Sequence, residues 1–195
     1  MLKSAPDRYG AVAASIHWVS VVLILILIVS GFRAAGADPA AKAAILRLHI
    51  PIALAMLALT ILRIVWWLGF DRKPEPVAGS PRWQEMSAKA VHLLFYVVIL
   101  GMIASGVGMV ALSGAAPIIF GGDSVPLPDF SHYPPRRAHG IGAGILLALL
   151  ALHVGAALYH HFIRGDGLLW RMWFTRRGAA PSRDEAMLAQ RKENL

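Results

Sequence analysis

Eight histidines stand in a chain of 195 residues that has no cysteine. Two of them, His139 and His153, lie fourteen residues apart on one apolar segment. Fourteen helical residues advance the chain by about 21 Å and, at roughly 100° per residue, return the side chain to nearly the same face. One helix would therefore present two imidazoles to one side, at two depths. His17 and His49 lie in two other apolar segments, His17 at the depth of His153 and His49 at that of His139. Neutral imidazole is a good ligand for transition metals. Four imidazoles in two layers are the donor set for two metal centres, one above the other.

The elements that must hold these side chains follow from composition. The chain is 57% hydrophobic and 15% charged, with a mean hydropathy of +0.58, too apolar and too poor in charge for an ordinary soluble domain. Apolar stretches at about 11–33, 46–68, 90–112 and 138–163 are each long enough to cross a bilayer, which takes about 20 residues. Arg47 and Arg63 stand near the ends of the second stretch, where their guanidinium groups can snorkel to the interface. With no water to satisfy the backbone, each stretch must be a helix. The expected fold is an all-α membrane protein, a four-transmembrane-helix bundle within a domain of residues 1–175, with a polar tail at 176–195. Leu168, Leu169, Trp170, Met172, Trp173 and Phe174, set among arginines, read as a short interfacial helix with aromatic anchors. The first stretch reads as a retained span. Its uncharged run from Tyr9 to Phe32 exceeds a signal-peptide core of roughly 7–15 residues, and it carries His17.

Charge sets the expected orientation. Four crossings put both termini on one side. That side would hold Lys3, Arg8, Arg63, Arg72, Lys73, Arg82, Lys89 and the seven basic residues from Arg164 onward, 14 of the 19. Arg33, Lys42, Arg47, Arg136 and Arg137 would lie opposite. The positive-inside rule then places both termini in the cytoplasm. The basic balance is explained by topology and anionic lipid, so nucleic acid is not an expected partner.

The absence of cysteine excludes disulfides, thiolate iron–sulfur ligation, Cys-rich zinc sites and covalent c-type haem attachment. Zinc would need three or four ligands at one point, whereas these ligands divide into layers. Haem fits better. Two axial histidines saturate the iron, which suits electron transfer, and a helical bundle offers an apolar slot for the porphyrin. Inside a bilayer an ionisable residue is a functional candidate by default. That places His92, in the third stretch, and His160 and His161, at the end of the fourth, beside the first four. The connection from about Ser113 to Arg137 has five prolines and reads as an extracytoplasmic loop able to cover the outer centre.

The sequence resembles the bacterial cytochrome b561 family, in the superfamily of the cytochrome b subunits of nickel-iron hydrogenases and formate dehydrogenases. The matching text is Arg8-Tyr9 and Ser15-Ile16-His17-Trp18, then Leu48-His49 and Leu62-Arg63, then Ala90 through Tyr96 with Ser105-Gly106. The most specific stretch runs from Ala151-Leu152-His153 through His160-His161 to Arg164-Gly165-Asp166-Gly167. The resemblance covers roughly residues 8–175. It implies a bacterial inner-membrane protein with two stacked b haems, a cytoplasmic-side haem on His17 and His153 and an outer haem on His49 and His139.

The resemblance also implies a quinone, ubiquinone being the expected one, beside the cytoplasmic-side haem. His92, His160, His161 and Arg164 are the candidate quinone residues, since a quinone carbonyl needs hydrogen-bond donors and its reduction needs protons. The expected activity is quinone-linked electron transfer from an extracytoplasmic one-electron donor. Some relatives look like superoxide:quinone oxidoreductases, and the outer basic residues could steer an anion inward. The alternative is a cytochrome b anchor subunit that passes electrons between quinone and a larger dehydrogenase- or hydrogenase-type partner. A cofactor-free transporter is a third class, but it would leave the histidine layers unexplained. Membrane lipid, quinone, an extracytoplasmic redox partner or superoxide, and a second copy of the chain in a homodimer are the partners considered.

Overall fold

The uncharged run of the first stretch folds as one helix, α1 (Ala11–Gly36). Three more follow: α2 (Pro39–Val65), α3 (Arg82–Ser113) and α4 (Pro134–Tyr159). A π-helical turn prolongs α2 over Trp66–Phe70 and α4 over His160–Arg164. The computed structural model describes residues 1–77, 79–121 and 125–173; Phe174 and the tail at 176–195 lie outside them. The described residues are all-helical apart from turns and connections, and four helices are long and apolar enough to cross a membrane. They outrun their apolar stretches because polar residues continue the helix beyond the hydrocarbon: α3 begins at Arg82, well before Ala90.

Local chemistry fixes the helix ends. Asp38 caps α2 by accepting from the amides of Ala40 and Ala41, each at 3.0 Å, and Pro39 takes the first helical position. Gly114 ends α3 and Gly165 ends the turn after α4, with φ of 63° and 61°, a left-handed conformation that glycine adopts without strain.

The helices pack as two hairpins, α1 along α2 and α3 along α4, with a lesser contact between α2 and α3. Among the described residues the backbone of α4 lies chiefly against that of α3. Ile24, Met56, Ile99, Ile103 and Leu146 form the central core, one or two residues from each helix. Ile24, Met56 and Leu146 each stand seven residues from a layer histidine (His17, His49, and both His139 and His153). Seven residues are two helical turns, about 10.5 Å, so this apolar core lies midway between the layers. Buried hydroxyls are satisfied within their own helices: Ser20 donates to the Ile16 carbonyl and Thr60 to that of Met56, both at 2.7 Å.

One end of the bundle is closed by the chain's first ten residues. Gly10 packs so tightly that a Cβ there would lie 2.4 Å from the Leu2 oxygen and the Lys3 carbonyl carbon. The Ser4 amide and hydroxyl donate to Asp71, and Arg171 donates to the carbonyls of Asp7 at 2.7 Å, Pro6 at 2.9 Å and Glu75 at 2.7 Å. Leu168–Met172, within the expected interfacial helix, forms a 3-10 turn. Toward the other end, part of the α3–α4 connection packs on α2. It contains a π-helical turn at Pro117–Gly121, and the Arg47 guanidinium donates to the Ile119 carbonyl.

Candidate functional site

The four layer histidines meet in two pairs. At the end of the bundle away from the terminal strap, the ring centres of His49 on α2 and His139 on α4 lie 6.5 Å apart. Nearer the strap, those of His17 on α1 and His153 on α4 lie 6.3 Å apart. An imidazole nitrogen sits about 2 Å from a bound metal and the ring centre about 1.2 Å behind it, so imidazoles on opposite sides of one metal have centres about 6.4 Å apart. Both layers match that separation. Among the described residues no three His, Asp or Glu side chains converge as a metal site. Pairs of imidazoles at this separation in a helical bundle fit haem, which His17 with His153 and His49 with His139 would hold.

In the far layer, neighbouring groups fix which nitrogen is free. His139 Nδ1 lies 3.0 Å from the Met102 carbonyl. A carbonyl can only accept, so Nδ1 carries the proton and Nε2 keeps the lone pair that binds metal. Ser105 Oγ, 3.0 Å from the same Nδ1, shares this bond while donating to the Met102 carbonyl at 2.8 Å. His49 is held alike. Ser30 Oγ donates to the Ile26 carbonyl at 2.7 Å, so its lone pair receives the His49 Nδ1 proton at 2.8 Å. Beside each serine is a glycine against which the ring packs. A Cβ on Gly31 or on Gly106 would stand 3.6 Å from Cε1 of His49 or His139 respectively. The dipeptides Ser30-Gly31 on α1 and Ser105-Gly106 on α3 thus form matching cradles.

The near layer is held by aromatic rings. His92 on α3 and Phe95 stand edge-on to His153, with centres 5.7 and 5.6 Å away. Trp18, next to His17, donates its indole N–H to the Met172 carbonyl at 3.0 Å and meets Trp173 edge-on at 5.3 Å. The turn after α4 thereby holds the segment that carries His17.

The other candidates separate. His92 belongs to the near layer. His160 lies seven residues beyond His153, about 10 Å farther along the helix, where its Nδ1 pairs with Asp166. His161 meets Trp170 edge-on at 6.0 Å. Arg164 donates to Gln84 at 3.2 Å and stands 3.9 Å from Asp166. Sequence reasoning missed Ser30 and Gly31, and gave Asp166, within the matching stretch, no role. The repeated Ser-Gly pair was the available signal for the first two.

The family model for prokaryotic cytochrome b561 matches residues 8–175. The chain belongs to the prokaryotic cytochrome b561 family. Cytochrome b561 homolog 1 of Escherichia coli K12 is 31% identical over 119 residues, which are 55% of this chain and 68% of the relative. Cytochrome b561 homolog 2 of the same organism is 25% identical over 184 residues, 87% of this chain and 93% of the relative. A probable superoxide oxidase, CybB, of Yersinia pestis is 26% identical over 179 residues, 88% of this chain and 98% of the relative. Membership makes this cytochrome b561 an integral membrane electron-transfer protein that carries b-type haem.

Proposed function

We propose that this cytochrome b561 carries electrons across the bacterial inner membrane through two b haems, from a one-electron donor outside to the quinone pool. The observation that carries the proposal is the pair of imidazole layers with ring separations of 6.3 and 6.5 Å. His17 and His153 would hold the cytoplasmic-side haem and His49 and His139 the outer one. Each haem, when bound, supplies an iron centre that gains or loses one electron. Ser30, Ser105 and the Met102 carbonyl keep a proton on Nδ1 in the outer layer, so that Nε2 stays a neutral donor. The core of Ile24, Met56, Ile99, Ile103 and Leu146 excludes water between the layers.

The excess of Lys and Arg on the side of the strap supports cytoplasmic termini. Superoxide is the donor we favour, supported by the probable superoxide oxidase among the relatives and by Arg33, Lys42, Arg47, Arg136 and Arg137 on the opposite side. Ubiquinone is the acceptor, with His92, His160, His161 and Arg164 as candidate contacts. The test mixes purified, haem-loaded protein with superoxide and a ubiquinone analogue. Faster superoxide consumption with quinol formation supports the proposal; no acceleration refutes superoxide as the donor.

A further inference from the structure

α2 meets the near layer with an arginine. Arg63 stands fourteen residues after His49 on that helix, the spacing that separates His139 from His153 on α4. Fourteen residues advance a helix by about 21 Å and bring the side chain back to nearly the same face. α4 therefore serves the two layers with two histidines, and α2 serves them with a histidine and then Arg63. The surroundings agree with that register. The charge of Arg63 acts on His17, His153 and His92, the three imidazoles of the near layer. It also acts on Tyr9, where the strap enters α1.

This cation needs an anion. Arg63 is half-buried on a helix apolar enough to cross a membrane, and taking a guanidinium out of water without a partner is costly. Among the described residues no ion pair includes it. Three aspartates at this end are engaged elsewhere. Asp7 pairs with Arg8, Asp71 accepts from the Ser4 hydroxyl and the Trp66 indole, and Asp166 pairs with His160. The next residue on the Arg63 side of α2, four positions on, is Trp67, which meets the Tyr9 ring edge-on at 6.0 Å.

We propose that Arg63 is a cofactor-binding residue whose guanidinium holds a propionate of the haem on His17 and His153. This rests on the two-layer haem reading given under Proposed function. A b haem carries two propionates, carboxylates on an otherwise apolar macrocycle. A guanidinium fork donates two parallel N–H···O bonds to a carboxylate. The contact gives the carboxylate a donor in apolar surroundings and gives the arginine its anion. It also sets the rotation of the macrocycle about the line joining the two imidazoles, which axial ligands alone leave free. A cation beside this iron favours the reduced form, which carries one positive charge fewer, so Arg63 raises the electron affinity of the near-layer haem. A lipid phosphate offers the guanidinium similar chemistry, and the experiment separates the two anions.

The test uses the full-length protein loaded either with haem or with haem dimethyl ester, whose propionates carry no charge. Transfer to a soluble scavenger reads how firmly each is held. With haem, Arg63→Gln should release the near-layer group about ten- to a hundredfold faster than the wild type. With the ester, the two proteins should agree within about twofold, since the variant then removes a donor that has no anion to hold. The outer haem should stay in place throughout and reports that the bundle is folded. Lys73→Gln removes an exposed cation whose charge also acts on His92, and it should change release by no more than about twofold. Redox titration supplies a second readout. Arg63→Gln should lower the electron affinity of one haem about tenfold, or about 59 mV, and that haem should be the one missing from His17→Ala. If Arg63→Gln holds neither haem, Arg63→Lys takes its place in the comparison; loss of the fork should speed release about threefold with haem and not at all with the ester. A loss that persists with the ester assigns Arg63 to a lipid phosphate or to the packing of the helix and overturns the proposal, as does unchanged release of haem. A wild type that binds no haem on His17 and His153 overturns the two-layer reading itself, and is distinguished by failing before any variant is compared.

Discussion

Removing the Ser30 hydroxyl should loosen one haem and leave the other in place. Ser30 Oγ is the group that receives the His49 Nδ1 proton, at 2.8 Å, and it is fixed by its own bond to the Ile26 carbonyl at 2.7 Å. In Ser30→Ala the buried Nδ1–H loses its acceptor, which costs about 1–3 kcal/mol. Loss of an outer hydrogen bond to a metal-bound histidine typically lowers metal affinity about 10- to 100-fold, or roughly 1.4–2.7 kcal/mol. Ser105→Ala is the matched control. His139 keeps the Met102 carbonyl at 3.0 Å, so its loss should stay within a few-fold. The assay is haem transfer to a soluble scavenger, followed by the reduced-minus-oxidised spectrum. Ser30→Ala should release one haem per chain faster while the His17–His153 haem stays. Equal behaviour of the two serine variants, or loss of the near-layer haem first, would refute the reasoning.

Further outcomes follow from the strap and the cradles. Gly31→Leu should abolish one haem and Gly31→Ala should retain both, because a Cβ 3.6 Å from the His49 ring is an ordinary contact whereas a branched side chain displaces the ring; haem quantitation reads it. Gly10→Ala should free the strap, since its Cβ would fall 2.4 Å from the Leu2 oxygen, and limited proteolysis should cut residues 1–9 sooner. Arg171→Lys should free it as well, because an ammonium cannot span the carbonyls of Pro6, Asp7 and Glu75 as the guanidinium does; amide exchange near Tyr9 reports the change. Strap closure should also depend on pH through Asp71. Burial alone would raise this carboxyl, but hydrogen bonds from the Ser4 hydroxyl and amide, the Arg72 amide and the Trp66 indole lower it overall. A carboxyl lowered in the folded state contributes stability that is full above the ordinary aspartate value and lost as pH falls through the folded one. Strap protection should therefore fall in acid for the wild type, and Asp71→Asn should be weak at all pH values.

The bundle and its histidine layers were legible because their signals are periodic. His139 and His153 share a face by helical repeat, and spans without charge admit few alternatives to a helix. The Asp38 cap and the glycine stops at Gly114 and Gly165 are likewise local. The cradles were not legible, since they join separate helices: Ser30 meets His49 across 19 residues and Ser105 meets His139 across 34. The same holds for Arg171, whose carbonyl partners lie 96 to 165 residues away. His92, His160, His161 and Arg164 share the strap end of the bundle, but depth along a helix does not determine contact. Two turns separate His160 from the His153 level, and its Nδ1 pairs with Asp166.

The central claim is that four histidines hold two haems in two layers. The most direct measurement is the pyridine haemochrome content and reduced-minus-oxidised spectrum of the wild type and of single alanine variants at His17, His49, His139 and His153. Two b haems per chain are expected in the wild type, with low-spin six-coordinate spectra. His17→Ala and His153→Ala should remove the same haem, and His49→Ala and His139→Ala the other. A single haem in the wild type, or a variant of one layer that removes the haem of the other, would contradict the pairing.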